Sequence, residues 1–557
     1  MEQHIRTIAA TILSMLILIG WQYFFVTPEL EQQNLEQEFE IHNNDIEELK
    51  VHKQTIEDEF KSNTRVKFEN DYIAGFINLI GAKIDSLVLK KYKDNENHNV
   101  ILLSPDFSEN PNFLKIDWKL IGSKEKSIDL PNHLTLWEFT QKNNTITLTW
   151  INPQGVLFQI DIVQDDMYLF YINTTINTSN ANIEVPNNIK IRTHVSMQRS
   201  RNASITDSMI LHEGPVSVIN GKLKEISFSD VEKESYKFSK ENNIEWIGFS
   251  DKYWLVSFIP QNRQNISASI FSSMSNEWNQ KKFSIDLLLS AHSFDEKIIT
   301  DSFMLFAGAK SIEVLDAYEK TCKITMFDRA VDLGFLYFIT KPIFLVLNYF
   351  YKMIGNFGLA IMLLTVLTKL LLFPLAYKSV KSMNRIKQLQ PKITKLKEQY
   401  DGNAMLFQQA LVSLYKKEKV NPASGCLPIL LQMPIFFALY KVLYVTIEMR
   451  HAPFFGWITD LSAPDSTTIF NLFGLIPWQP PTFLMIGVLP ILMALTMFVQ
   501  QMLSPQPTDQ TQAIVMRFMP LMLLFMFAQF PSGLLIYWTW SNIISILQQI
   551  VIKYLPE

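Results

Sequence analysis

Lys369 is the single charge between residues 353 and 376, in a stretch otherwise apolar enough to cross a bilayer. An ammonium near the bilayer centre costs about 2.5–3.5 kcal/mol on insertion scales. Lys369 precedes Lys378 by nine residues, about 13 Å of helix, and a Lys stem reaches only about 6 Å. It therefore needs a polar or hydrated cavity. Thr365 lies one turn away on the same face and Thr368 is adjacent. Other apolar stretches offer Gln432, Thr496, Gln500, Ser541 and Asn542 as polar walls. No Asp or Glu falls within the apolar run of any stretch assigned below as a span. A proton- or cation-coupled carrier normally uses such a carboxylate. One positive charge among hydroxyls and amides would instead attract a polar or acidic peptide segment held transiently inside the bilayer.

No second constellation competes. The two cysteines, Cys322 and Cys426, build neither a disulfide framework nor a metal cluster. Walker A, GxGxxG, HExxH and GxSxG patterns are missing, and the nine histidines are scattered. No catalytic residue, metal or cofactor is expected.

The elements that position these residues follow from composition. The 557 residues are 48% hydrophobic and 19% charged, with a mean hydropathy of +0.08, too apolar for a soluble chain of this size. Residues 27–330 hold 32 Lys and Arg against 44 Asp and Glu, whereas residues 331–557 hold 17 against 9. A water-soluble domain inserted between membrane segments is the expectation.

Residues 7–26 are uncharged and end in Gly20-Trp21-Gln22-Tyr23-Phe24-Phe25, with bulky aromatics where a cleavage site would need small residues. Residues 1–26 therefore read as a retained transmembrane anchor. Further spans are expected at 353–377, 421–446, 482–503, 513–530 and 532–553, the last two separated by the Phe530-Pro531-Ser532-Gly533 break, with Pro531 and Gly533 making the turn. The segment 378–420 carries ten Lys and Arg, among them Arg385, Lys387, Lys392 and Lys395, against three acids, so it must be cytoplasmic. Six spans then put both termini in the cytoplasm and the acidic block outside. Residues 331–352, with Lys341-Pro342 inside, read as an amphipathic helix lying in the outer interface. Residues 447–481 become an outer loop and 504–512 a cytoplasmic one.

Residues 27–60 are polar and aperiodic and read as a tether. Across 61–325, alternation such as Thr145-Ile146-Thr147-Leu148-Thr149-Trp150 and Val156 to Ile162, flanking Asn152-Pro153-Gln154-Gly155, predicts an antiparallel β-sandwich. In 378–420, Met383, Ile386, Leu389, Ile393 and Leu396, then Leu406, Ala410, Leu411 and Leu414, recur at helical spacing around Asp401-Gly402-Asn403. Two amphipathic helices in an antiparallel hairpin follow, the first kinked at Pro391. Their basic faces suit anionic lipid or ribosomal RNA; the alternative is that these lysines only satisfy the topology rule.

Several motifs carry a resemblance. Asn421-Pro422-x-x-Gly425-Cys426-x-Pro428-x-x-x-Gln432-x-Pro434-Ile435-Phe436, Leu389-Gln390-Pro391-Lys392-Ile393, and Phe530-Pro531-Ser532-Gly533-Leu534 with Ser541-Asn542 resemble the YidC-type membrane protein insertases with a large periplasmic domain. Trp21-Gln22 and Asp332-Leu333-Gly334 extend it. The resemblance implies six transmembrane helices with a five-helix insertase core, and an insertase and chaperone of the bacterial inner membrane acting alone or beside the Sec translocon. It implies a hydrophilic groove open to cytoplasm and lipid that receives nascent membrane proteins. The family's groove charge is usually Arg; Phe373-Pro374-Leu375 sets the register and Lys369 takes that place, with Thr365, Gln432 and Trp538 as neighbouring groove positions. Lys supplies charge without a bidentate fork. Ribosome contact falls to the hairpin and the 504–512 loop, anionic lipids are further partners, and DNA is not one. A solute transporter would want intramembrane carboxylates or an inverted repeat, and neither is visible; a scaffold would lose its function with residues 60–310.

Overall fold

In the computed structural model the described residues are 64–554, apart from 95–96, 109, 122–127, 180, 182–188, 202–210, 275–279, 295, 401–402, 419, 421–426, 474–475, 477, 479–484 and 504–509. The expected anchor (1–26) and tether (27–60), most of the 504–512 loop, and the Asn421–Cys426 part of the family motif lie outside them. The chain divides into two compact units, one ending at Asp332 and the other containing everything from Leu333 onward.

Residues that alternate in burial build the first unit. Strand Leu157–Gln164 buries every second side chain and pairs antiparallel with Thr145–Ile151, Trp150 opposite Phe158. Between them Asn152 Oδ1 accepts from the Gln154 and Val156 amides at 3.1 and 2.8 Å, closing the predicted turn. Asn220-Gly221 joins Gly214–Ile219 to Lys222–Glu225 with φ of +53° and +68°, the positive pair a two-residue hairpin demands.

Among the described residues eighteen strands form two nine-stranded antiparallel sheets. One runs Arg65–Glu69, Ile73–Asn78, Lys83–Lys93, Asn112–Ile121, Lys190–Arg201, Lys281–Ser293, Ser267–Met274, Tyr236–Phe238, with Asn99–Leu103 beside Lys83–Lys93. The other runs Lys222–Glu225, Gly214–Ile219, Ile244–Ser250, Trp254–Pro260, Ile298–Ala309, Leu169–Asn177, Leu157–Gln164, Thr145–Ile151, Glu138–Lys142. Aromatic pairs join the faces: Phe68 meets Phe170 edge-on at 5.3 Å and Trp118 meets Phe158 at 5.2 Å. Helices α1 (Phe228–Lys233) and α2 (Ile312–Thr321) complete the unit. Two charged features sit inside it. Arg65 makes a bidentate pair with Asp85 at 2.8 and 3.0 Å, both side chains almost fully buried.

Asp301 crosses between the sheets, accepting from Thr193 Oγ1 at 2.6 Å and lying 2.9 Å from His292 Nε2. This hydrogen bond holds the His292 imidazole above its ordinary value of 6.5. A raised histidine pKa contributes stability that is complete below about pH 6.5 and is lost as the pH climbs through the elevated value. Amide protection in Lys281–Ser293 should therefore fall with rising pH across that window beyond intrinsic exchange, and His292→Gln should remove the dependence. Hydrogen exchange of the full chain measures both.

The second unit is helical: α3 (Tyr337–Ile354), α4 (Phe357–Leu371), α5 (Phe373–Gln399), α6 (Ala404–Lys417), α7 (Leu427–Val445), α8 (Val488–Leu503), α9 (Gln510–Phe527) and α10 (Ser532–Tyr554). Gly355, at φ +75°, ends α3, and Asn356 Oδ1 caps α4 by accepting from Leu359 N at 3.1 Å. A break between two helices falls inside the expected span 353–377. The chain bends by 65° between α4 and α5, and α5 carries the end of that segment and the first hairpin helix as one element running on through Pro391. Pro374 explains the break: it is tolerated in the first turn of a new helix but cannot continue an old one. The hairpin core gathers Leu389, Ile393 and Val420 against Ile386, Phe407, Leu411, Leu414 and Tyr415, whereas Leu406 is exposed.

Among the described residues α10 is long and apolar enough to cross a membrane, and α4 with α5 qualifies if taken as one bent span. Leu430–Val445, Val488–Leu503 and Ile514–Phe527 are shorter apolar stretches. Large apolar side chains face outward on these helices, among them Leu371, Leu495, Met502, Phe518 and Val551, while Thr365, Ser541 and Asn542 are buried. That inversion suits an apolar solvent.

Candidate functional site

Lys369 lies in the last turn of α4, and α10 places Ser541, Ser545 and Gln548 along one face at spacings of four and three. The Lys369 ammonium donates to Ser545 Oγ at 2.8 Å and to Gln432 Oε1, on α7, at 3.2 Å. Gln432 Nε2 donates onward to Ser541 Oγ at 2.9 Å, and Gln548 Nε2 donates to the Lys369 carbonyl at 3.2 Å. Three helices are thus tied by one half-buried cation whose hydrogen-bond partners are neutral. Among the described residues it forms no ion pair, so its charge is available to an incoming anion.

The sequence-predicted set divides here. Lys369, Gln432 and Ser541 share the network. Thr365 Oγ1 donates to Ile361 O at 2.7 Å and Thr368 Oγ1 to Thr365 O at 2.9 Å, so both hydroxyl protons are used within α4. Asn542 and Thr496 form a separate pair at 3.2 Å. Trp538 belongs to an aromatic cluster, 4.8 Å from Phe436 and 5.0 Å from Phe527, with Phe530 a further 4.7 Å from Phe527. Trp538 lies three residues toward the start of α10 from Ser541, whereas Lys369 bonds to Ser545, four residues toward its end. Ser545 and Gln548 were missed by sequence reasoning, although their spacing from Ser541 on one helical face was a usable signal.

Beyond the aromatics, the loop before α8 is hydrogen-bonded to the start of α10. Ser532 N donates to Ala463 O at 2.8 Å and Gly533 N to Leu461 O at 2.9 Å. A Cβ on Gly533 would stand 3.0 Å from Leu443 Cδ2 and 3.2 Å from Leu461 O, a close approach that would push those neighbours by a few tenths of an ångström. Pro531 precedes the turn, where it lacks only an N–H the first helical turn cannot use. Asp465, buried, accepts from Leu489 N at 2.8 Å, Thr467 N at 3.0 Å and Trp457 Nε1 at 3.1 Å, capping α8 from a distance. Asp465→Ala should lower stability by about 2–4 kcal/mol, since it removes a cap and strands buried donors; thermal unfolding in detergent checks this, and Asp465→Asn should lose less.

The hairpin residues Arg385 and Lys387 lie on α5 beside the ends of α8 and α10, while Lys392 pairs with Glu418 at 2.7 Å and Lys395 carries no ion pair with another described residue.

Comparison with known proteins converges on one family. Residues 349–556 match the 60Kd inner membrane protein family and residues 65–346 the YidC periplasmic domain. The membrane protein insertase YidC of Rickettsia bellii (strain OSU 85-389) is 44% identical over 566 residues, covering 99% of both chains, and that of Rickettsia felis (strain ATCC VR-1525 / URRWXCal2) is 45% identical over 565 residues at the same coverage. With the β-rich unit, the helical unit and matches spanning both, this chain belongs to the YidC family of membrane protein insertases.

Proposed function

We propose that this inner-membrane insertase receives the polar part of a nascent membrane protein in the groove headed by Lys369, walled by Gln432, Ser541 and Ser545, and closed at its other end by Trp538, Phe436 and Phe527. The half-buried cation with neutral partners carries the proposal: it is costly to bury unless used, and it attracts an acidic or polar segment before that segment crosses. Partitioning of the incoming apolar helix into lipid then drives release, with no nucleotide and no covalent step. The topology that serves this mechanism has six spans, both termini and the hairpin in the cytoplasm, and the β-rich unit in the periplasm. It is supported by the basic segment 378–420 and the outward apolar side chains of α4 and α8–α10. Hairpin lysines and arginines such as Arg385, Lys387, Lys392 and Lys395 contact the ribosome or anionic lipid, and the Sec translocon is a partner for part of the substrate set.

A photo-crosslinker at Gln432, presented with ribosome-stalled chains of a small membrane protein and of a soluble control, tests the groove. Crosslinks selective for the membrane chain are expected. Equal labelling of both chains, or none with the protein folded in the membrane, would overturn it.

A further inference from the structure

A cavity of about 620 Å³ opens where the hairpin meets the ends of α8 and α10, within the range that holds a small ligand. Four cations line it, Lys381, Arg385 and Lys387 from α5 and Lys553 from α10, and among the described residues no acidic one does. None of the four has an ion pair among the described residues. Such a concentration of like charge repels itself unless an anion enters, and a guanidinium beside ammonium groups matches a phosphate. The remaining wall is different in kind: Val380, Met502, Leu503 and Ile550 present aliphatic surface, and the last three are among the exposed apolar side chains of the protein. Tyr377 also lines the cavity, with the Lys381 ammonium 5.6 Å from its ring centroid, an arrangement suited to a membrane interface. A free phosphate or an RNA backbone would satisfy the cations and leave the aliphatic wall unused.

We infer that this cavity holds one anionic phospholipid, its phosphate among Lys381, Arg385, Lys387 and Lys553 and its acyl chains along Met502, Leu503 and Ile550. The lipid ties the first hairpin helix to the end of α10, the helix that also carries Ser541 and Ser545. The inference rests on the reading that these helices span the membrane with the hairpin on the cytoplasmic side.

Native mass spectrometry of the full chain in detergent, titrated with phosphatidylglycerol or phosphatidylcholine, tests it. One phosphatidylglycerol should be retained in preference to phosphatidylcholine. Each charge near the surface contributes about a fivefold factor, so K381Q/K553Q should weaken retention about 25-fold, and K416Q/K417Q, on exposed α6 outside the cavity, should leave it unchanged. Equal retention of both lipids, equal loss in the two variants, or no loss in K381Q/K553Q would overturn the proposal. So would glycerol phosphate binding as tightly as the phospholipid, or a short RNA losing affinity in K381Q/K553Q while the lipid does not. Crosslinking at Gln432 is read in parallel: lipid selectivity lost with crosslinks intact defeats this inference alone, and the converse defeats the groove alone.

Discussion

Lys369→Ala should slow the insertion of substrates with acidic translocated segments by about tenfold or more, and of substrates with uncharged segments much less. A hydrogen bond involving an ionised partner is worth about 1.5–3 kcal/mol, which corresponds to a factor of about 10 to 150. The substitution leaves Gln432 bonded to Ser541 at 2.9 Å, so the groove wall survives and the loss is one of charge. Lys369→Arg should retain most activity, because the charge remains and a longer, forked donor reaches the same Gln432 and Ser545 oxygens. Insertion assayed in proteoliposomes, with protease resistance as the check on folding, separates these outcomes. Normal rates for every substrate in Lys369→Ala would remove the charge from the mechanism.

Asp85→Ala should destabilise the β-rich unit by about 3–5 kcal/mol, since it leaves the Arg65 guanidinium buried without its bidentate carboxylate. Burial pushes the Asp85 carboxyl above its ordinary range against the opposing pull of Arg65, so desolvation outweighs attraction at this pair. Replacing both residues with apolar ones, Arg65→Met with Asp85→Leu, should accordingly cost far less than the single change and come close to neutral. Denaturant titration followed by the fluorescence of the unit's tryptophans measures the difference. A double variant as unstable as the single one would mean that the pair itself, and not the stranded charge, supports the fold.

Much of the architecture was legible because its signals are local. Val156 to Ile162 alternates, and the strand buries every second residue; Leu389, Ile393, Leu411 and Leu414 recur at helical spacing and meet in one hairpin core. Runs of apolar residues marked the helical unit, whose described residues include the apolar stretches Leu430–Val445, Val488–Leu503 and Ile514–Phe527. The bend at Leu372 was not read from 353–377, since hydropathy is blind to the helix restart that Pro374 imposes.

The site shows the same division more sharply. By itself the sequence determined that a single cation, Lys369, lies in an apolar helix with no carboxylate near it in the chain, and that Gln432 and Ser541 are polar in other such helices. Helical spacing also put Thr365 and Thr368 near that cation, yet their hydroxyls bond carbonyls of their own helix, because a threonine in an apolar helix satisfies itself locally at no cost in packing. Only the tertiary structure decided that Ser545, 176 residues away, is the hydrogen-bond partner nearest to the ammonium, and that Asp465 caps a helix 24 residues on. Periodicity states which face a residue occupies; which faces meet is settled by the packing of whole helices, and that carries no signature in any one of them.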